Sequence, residues 1–232
     1  MNNVRSWDLD STRNIHVFLE HLSVCFFFCF HAYADDTQLL KAMSPRSPDD
    51  QLNGIRLLQD GVVRISDSIF DNKLKLNGDK TEFLVLSSRY NQTLLDIPSI
   101  DLGTDVVYHS DTARNLGVMI DSTLSLEQQI SNVRKKCFYF LNWIRSVRPF
   151  LSDYAAKTIV HALVISRLDY CKSLYYGLPK KNIKQLQSVM NFAAGVIMHI
   201  SRDESITAVC KFLHWLPIEY RIRFNICVIV PT

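Results

Sequence analysis

Two adjacent carboxylates, Asp35 and Asp36, follow a small residue, Ala34, between two apolar runs. On a regular strand neighbouring side chains point to opposite faces, so the pair can share a ligand only at the tip of a tight hairpin. There the charges repel unless a cation neutralises them, and hard carboxylate oxygens suit Mg2+. The ordinary alternative for an isolated Asp-Asp pair is a solvated hairpin tip. Charge balance is the second feature with chemical meaning. Residues 1–130 hold 11 Lys/Arg against 18 Asp/Glu, a net of −7, whereas residues 131–232 hold 15 against 5, a net of +10. A basic half of this kind points to an anionic partner, nucleic acid first. The six cysteines (Cys25, Cys29, Cys137, Cys171, Cys210 and Cys227) form no Cys-x-x-Cys pair. That argues against a zinc site and for buried thiols in a reducing compartment.

The elements that must position these groups follow from apolar spacing. Val24–Tyr33 is short, aromatic and strand-like, and Thr37–Leu40 is a second strand, which puts Asp35 and Asp36 at the turn between them. Pro45 and Pro48 mark a loop, and Asp49-Asp50 make an acidic helix start. Leu52, Ile55, Leu58, Val62, Ile65 and Ile69 follow at spacings of 3, 3, 4, 3 and 4, the signature of one buried stripe. Leu74–Lys80 reads as a turn and Glu82–Ser88 as a strand, with two or three more short strands expected between Leu94 and Asp121.

Beyond Asp121 the period becomes helical. Leu126, Ile130, Val133, Cys137, Phe140, Leu141, Ile144 and Val147 form one stripe, with Arg134, Lys135, Arg145 and Arg148 on or near the opposite side and Pro149 at its end. Further helices are expected over Ser152–Arg167, Pro179–His199, Ser205–His214 and Pro217–Val230. The fold class is therefore α+β: a first part of strands and a helix, then an all-helical, basic second part, with the boundary near 122–125. A composition of 47% hydrophobic and 21% charged residues, with 7 Gly and 7 Pro, excludes disordered and collagen-like classes. The apolar run Leu22–Phe30 is nine residues long, too short to span a bilayer. No stable membrane association is expected, and the protein is expected to be intracellular, cytoplasmic or nuclear.

Tyr33-Ala34-Asp35-Asp36, followed by Thr37-Gln38-Leu39-Leu40, closely resembles the YADD box of the reverse transcriptases of non-LTR (LINE-type) retrotransposons. Other segments similar to that family follow in order. They are Leu74-Lys75-Leu76-Asn77 with Lys80-Thr81-Glu82-Phe83, then Asn115-Leu116-Gly117-Val118. On the thumb side come Arg148-Pro149-Phe150-Leu151, Ser166-Arg167-Leu168-Asp169-Tyr170-Cys171 and Leu213-His214-Trp215-Leu216-Pro217. The likeness runs from about His31 to Val230.

This resemblance implies the back half of an RNA-directed DNA polymerase: after a divergent segment 1–30, a partial palm (an antiparallel sheet with a helix) over 31–122 and a thumb-like helical region over 123–232, with an RNA template and a DNA primer as partners. Asp35 and Asp36 would be catalytic carboxylates holding two Mg2+ ions for nucleotidyl transfer onto the primer 3′-oxygen. Tyr33 and Ala34 would lie beside the primer end and the incoming nucleotide. Lys80 would sit near the nucleotide's phosphates as a proton donor or charge stabiliser. Leu116 and Gly117 would shape the strand pair that grips the primer. Arg134, Lys135, Arg145, Arg148, Lys180, Lys181 and Lys184 would track phosphates without reading bases. The family also uses an upstream third carboxylate and a set of fingers. The 32 residues before Tyr33 resemble neither, and their only aspartates are Asp8 and Asp10, so the chain alone is expected to be inactive. The competing expectation is a non-enzymatic remnant that binds nucleic acid in a salt-dependent way.

Overall fold

The computed structural model describes residues 29–33, 36–71, 73, 80–91, 99–102, 106–199 and 206–229, which form a mixed α+β chain of small antiparallel sheets and helices. The chain divides into two units, Met1–Gly117 and Val118–Thr232.

In the first unit β1 (Cys29–Tyr33) and β2 (Asp36–Leu40) pair antiparallel, with Cys29 opposite Leu40 and Tyr33 opposite Asp36. Residues 24–28 of the expected first strand lie outside the described residues. Helix α1 (Pro48–Asp71) starts where the acidic pair suggests, and the Ser47 hydroxyl accepts the Asp50 N–H at 3.3 Å. Its buried face differs from the expected stripe. Gln51, Gly54, Leu58, Gly61 and Ile65 point inward, Ile55 and Val62 are half-buried, and Leu52 is exposed. Leu52 is displaced because Gln51 turns inward to donate to the Pro45 carbonyl at 3.0 Å. At Gly54 a β-carbon would meet the Met43 sulfur at 2.3 Å, so the glycine lets the preceding loop lie directly on the helix. A face built from Gln and Gly is invisible to a count of apolar residues.

Strands β3 (Ser99–Asp101) and β4 (Val106–Tyr108) form a second antiparallel pair, Ser99 opposite Tyr108. Leu58, Ile100 and Leu102 make the unit's small core, with Leu39, Ile55, Val62, Phe83 and Val107 packed around it. The strand expected over Glu82–Ser88 is reduced to one parallel bridge, Phe83 to His109. The chain opposite turns at once, the Ser110 hydroxyl donating to the Thr112 carbonyl at 2.7 Å, so no ladder continues. Strands β5 (Thr112–Asn115) and β6 (Val118–Asp121) flank a two-residue turn, Leu116-Gly117.

The second unit begins with β6, which packs on α2 (Glu127–Val147) and so belongs with the helices, whereas the sequence reading began the helical region at 123. The Met119 N–H donates to the buried Gln129 side chain at 3.0 Å. Asp121 organises the entry to α2 by accepting from the Thr123 hydroxyl and from the N–H groups of Ser125 and Leu126 at 2.7, 2.9 and 2.7 Å. Burial alone would raise this carboxyl, but those hydrogen bonds outweigh it and hold Asp121 below the ordinary carboxylate range. Ile130, Val133, Cys137, Leu141 and Ile144 are buried as the stripe requires, and Phe140 and Val147 lie half-buried at its margin.

A short 3-10 turn (Arg148–Phe150) ends α2 at the proline. The next rod consists of α3 (Asp153–Val160), a π turn (His161–Ile165) and α4 (Ser166–Asp169), capped at its start by the Ser152 hydroxyl on Ala155 N–H. Then come a 3-10 turn (Lys172–Tyr175), α5 (Lys180–Met198), α6 (Ile206–Phe212) and α7 (Ile218–Ile229). Helix α5 packs on α2, and its Leu186, Val189, Met190, Ala193, Ala194 and Ile197 are buried in the unit's common core. Among the described residues no helix is long and apolar enough to cross a membrane.

Candidate nucleic-acid interface

Cross-strand partners in an antiparallel pair project to the same side of the sheet. The β1–β2 register therefore puts His31 with Gln38, and Tyr33 with Asp36, on one face, while Leu39 projects from the other into the small core. The first face borders an open cleft of about 430 Å³ lined by His31, Tyr33, Gln38, Asn115 and Leu116. A hydrogen bond of 2.5 Å from the Gln38 amide to the Asn115 side chain ties the hairpin to the end of β5. The tyrosine of the carboxylate box and the leucine of the Leu116-Gly117 turn thus line the same space, although they come from opposite ends of the unit. Both turn residues have positive φ, 44° for Leu116 and 83° for Gly117. Such a two-residue turn requires this, at no steric cost to glycine but at a cost of about 1 kcal/mol or more for leucine.

The other expected site residues fall in different places. Asp36 is exposed at the start of β2, and Ala34 and Asp35 lie outside the described residues. Lys80 is exposed and, like Gly117, is not part of the cleft lining. Among the described residues no three His, Cys, Asp or Glu side chains converge as a metal-holding group. His31, Gln38 and Asn115 are not among the expected site residues, although Gln38 and Asn115 stand in segments that resemble the family's. The signal that could have found the first two is the hairpin itself, since positions two before Tyr33 and two after Asp36 must share their face.

The basic residues divide sharply. Arg148 does not belong to a phosphate-tracking surface, because its guanidinium is buried. Nε donates to the carbonyls of Val196 and Ile197 at 3.1 and 3.2 Å, Nη1 to Leu151 at 2.8 Å, and Nη2 to Ile197 at 2.7 Å and to the exposed Asp153. It closes the carbonyl end of α5, where a cation is favoured. Arg148 keeps α-helical backbone angles and stands four residues after Ile144 and seven after Leu141, so it continues the buried face of α2.

Arg134, Lys135, Arg145, Lys180, Lys181 and Lys184 are exposed. Arg134 and Arg145 lie over the rings of Phe138 and Phe192 at 5.7 and 6.0 Å. Lys180, Lys181 and Lys184 occupy the first turns of α5, whose N-cap is Pro179 with no side-chain cap and no acidic residue in its first turn. Three cations at the positive end of a helix dipole oppose the stability of that helix. Past residue 131 the described acidic side chains, Asp153, Asp169 and Glu219, are each in an ion pair. The uncompensated charge of this surface is therefore positive.

Two stretches that resemble thumb-side signatures prove to be internal fasteners. Asp169 accepts from Arg221 through both guanidinium nitrogens Nε and Nη2, and from Lys172 at 3.2 Å. The His161 ring meets Trp215 edge-on at 5.7 Å, and the Gln187 carbonyl accepts the Ile218 N–H at 2.9 Å, seating α7. Burial, with Lys157 and Arg221 nearby, lowers the His161 imidazole, and Asp169 acts in the opposite sense.

Of the described cysteines only Cys137 is fully buried, whereas Cys29 and Cys227 are exposed, which corrects the expectation that all are buried thiols. They sit on a short strand and on the outer side of α7, where little packs against them. Burial pushes the Cys137 thiol up to about 11, Arg167 offsetting part of it. What fold and cleft define together is a two-unit α+β chain with a hairpin-lined cleft and a cationic helical surface. No family model, curated protein or solved structure matches the chain.

Proposed function

We propose that this chain is the palm-and-thumb part of an RNA-directed DNA polymerase of the non-LTR retrotransposon kind, and that by itself it holds primer–template nucleic acid without extending it. One observation carries the reading. Tyr33 of the box that resembles YADD and Leu116 of the turn that resembles a primer grip border one cleft, which is the juxtaposition a polymerase needs around a primer end. The cationic surface supports it, because lysines at the start of α5 weaken the helix and are explained by an anionic partner such as a phosphate backbone.

In this reading Asp35 and Asp36 would hold Mg2+, which would supply Lewis acidity at a primer 3′-oxygen. Tyr33 and Leu116 position the primer end, and Arg134, Lys135, Arg145, Lys180, Lys181 and Lys184 hold the backbone. Two carboxylates from one hairpin leave the charge cage short of its third member, and preorganised charge supplies most of the rate in such reactions. The test is primer extension on an RNA template with Mg2+, run beside an Asp35→Asn/Asp36→Asn double variant, with template binding measured across a salt series. The expected result is no extension by either protein and binding that weakens steeply with salt in both. Extension by the parent alone would make the chain a complete enzyme. Absence of salt-sensitive binding would remove the polymerase reading altogether.

A further inference from the structure

We infer that the outward face of α2 is a stacking platform for unpaired bases of single-stranded nucleic acid, with Tyr139 and Trp143 as the stacking rings and Lys135 and Lys136 as the phosphate contacts. This deepens the nucleic-acid reading above and rests on it. Lys136, Tyr139 and Trp143 are spaced by three and four residues and so share one side of the helix, away from buried Cys137, Leu141 and Ile144. Large aromatic side chains on a solvent face are costly to keep. Tyr139 is nevertheless 72% exposed and Trp143 54% exposed. The neighbouring rings Phe138, Phe140 and Phe192 are half-buried and lie under Arg134, Arg167 and Arg145, while Tyr139 meets Phe140 edge-on at 5.5 Å and stays exposed.

Charge decides the occupant. Glu127 is the only acidic residue of α2, at its first turn, and the lysines stand one turn before the rings. A partner must therefore bring negative charge and flat apolar faces together, as a nucleotide strand does. Spacing decides the strandedness. Tyr139 and Trp143 are about 6 Å apart along the helix axis. That is nearly twice the ~3.4 Å between bases stacked in a duplex. Each ring is thus placed to take a separate base that has left its stack, which a paired duplex does not offer.

The test uses the full chain and measures fluorescence anisotropy with a labelled oligothymidylate, an abasic sugar-phosphate oligomer of equal length, and a duplex. The parent is expected to bind oligothymidylate roughly tenfold more tightly than the abasic oligomer. Trp143→Ala should erase that preference while leaving abasic binding unchanged, and Trp143→Phe should retain most of it. Thermal melts of each variant guard against misfolding. Should Tyr139→Ala and Trp143→Ala bind oligothymidylate as the parent does, while a Lys180→Ala/Lys181→Ala/Lys184→Ala variant weakens all three probes, the platform is wrong and the broader reading stands. Should no probe bind the parent at low salt, both fail. A change in sedimentation without a change in oligomer affinity would make the face a protein contact and overturn the proposal.

Discussion

The two units spend their apolar residues differently. Among the described residues the helical unit joins twenty-three buried side chains into one cluster, whereas the sheet unit encloses Leu58, Ile100 and Leu102 with a half-exposed fringe. Burial of apolar area is the main favourable term in folding, so among the described residues the helical unit holds the larger share of that term. The box that resembles a catalytic motif stands on the lesser core, where local opening costs little. Chemistry and stability are thus separated along the chain, and variants can probe each side.

The largest effect expected is on the helical side. Arg148→Met leaves the carbonyls of Val196 and Ile197 without their donor inside the unit and should cost about 4 kcal/mol. Urea unfolding followed by the buried Trp215 measures it, and a parent-like midpoint would mean that the guanidinium does not hold α5. Next, Leu141→Ala in the fully buried stripe should cost about 3 kcal/mol, and Leu58→Ala in the sheet unit nearer 1–2 kcal/mol, because its surroundings can collapse or admit water. Equal costs would erase the contrast between the units.

Removal of the loop-organising carboxylate ranks third. Asp121→Ala should cost about 1–2 kcal/mol, as loss of a helix cap does. The folded-state value of Asp121 lies below its unfolded value. Its contribution is therefore complete above the ordinary carboxylate range near pH 4 and is lost as pH falls through the folded value. Melts of parent and Asp121→Asn should converge in acid; curves that stay parallel would count against this role. The smallest change has the opposite sign. Lys180→Ala should stabilise the helical unit by about 0.3–1 kcal/mol by relieving the dipole conflict, while weakening nucleic-acid binding and flattening its salt dependence.

The helical region was readable because a single apolar period of 3.6 governs α2 and α5, and Pro149, Pro179 and Pro217 punctuate it. The β1–β2 hairpin was readable from the short aromatic run that ends at Tyr33 and the Thr37–Leu40 stretch beyond Asp35 and Asp36. The inward face of α1 was not, since close packing there depends on Gly54 and Gly61 and on a Gln51 hydrogen bond. Nor was the fate of Glu82–Ser88, whose strand-like residues form, among the described residues, a single bridge to His109. Arg148 looked like surface because charge usually is. Its place four residues after Ile144 puts it on the buried stripe, but the carbonyls that satisfy it there lie nearly fifty residues away in sequence, which no local pattern reveals. For the site, the shared cleft joins residues from both ends of the first unit, and its Gln38–Asn115 bond is a tertiary fact.

The π turn at His161–Ile165 also has a bearing on how this chain tolerates changes in length. A π turn holds one residue more than the α-helical turn it replaces. Loss of any one residue there lets the rod close into a continuous α-helix with its backbone bonds intact. Because the extra residue is taken up within one turn, everything beyond would keep nearly its present orientation, and Asp169 would still face Arg221 and Lys172. The same deletion in the regular part of α3 has no such reserve and would rotate everything beyond by about 100°, the angle per residue of an α-helix, taking Asp169 away from its partners. A one-residue deletion at the π turn should therefore leave the last helix seated, whereas one in α3 should release it, a difference that protease sensitivity of that helix would show before circular dichroism did.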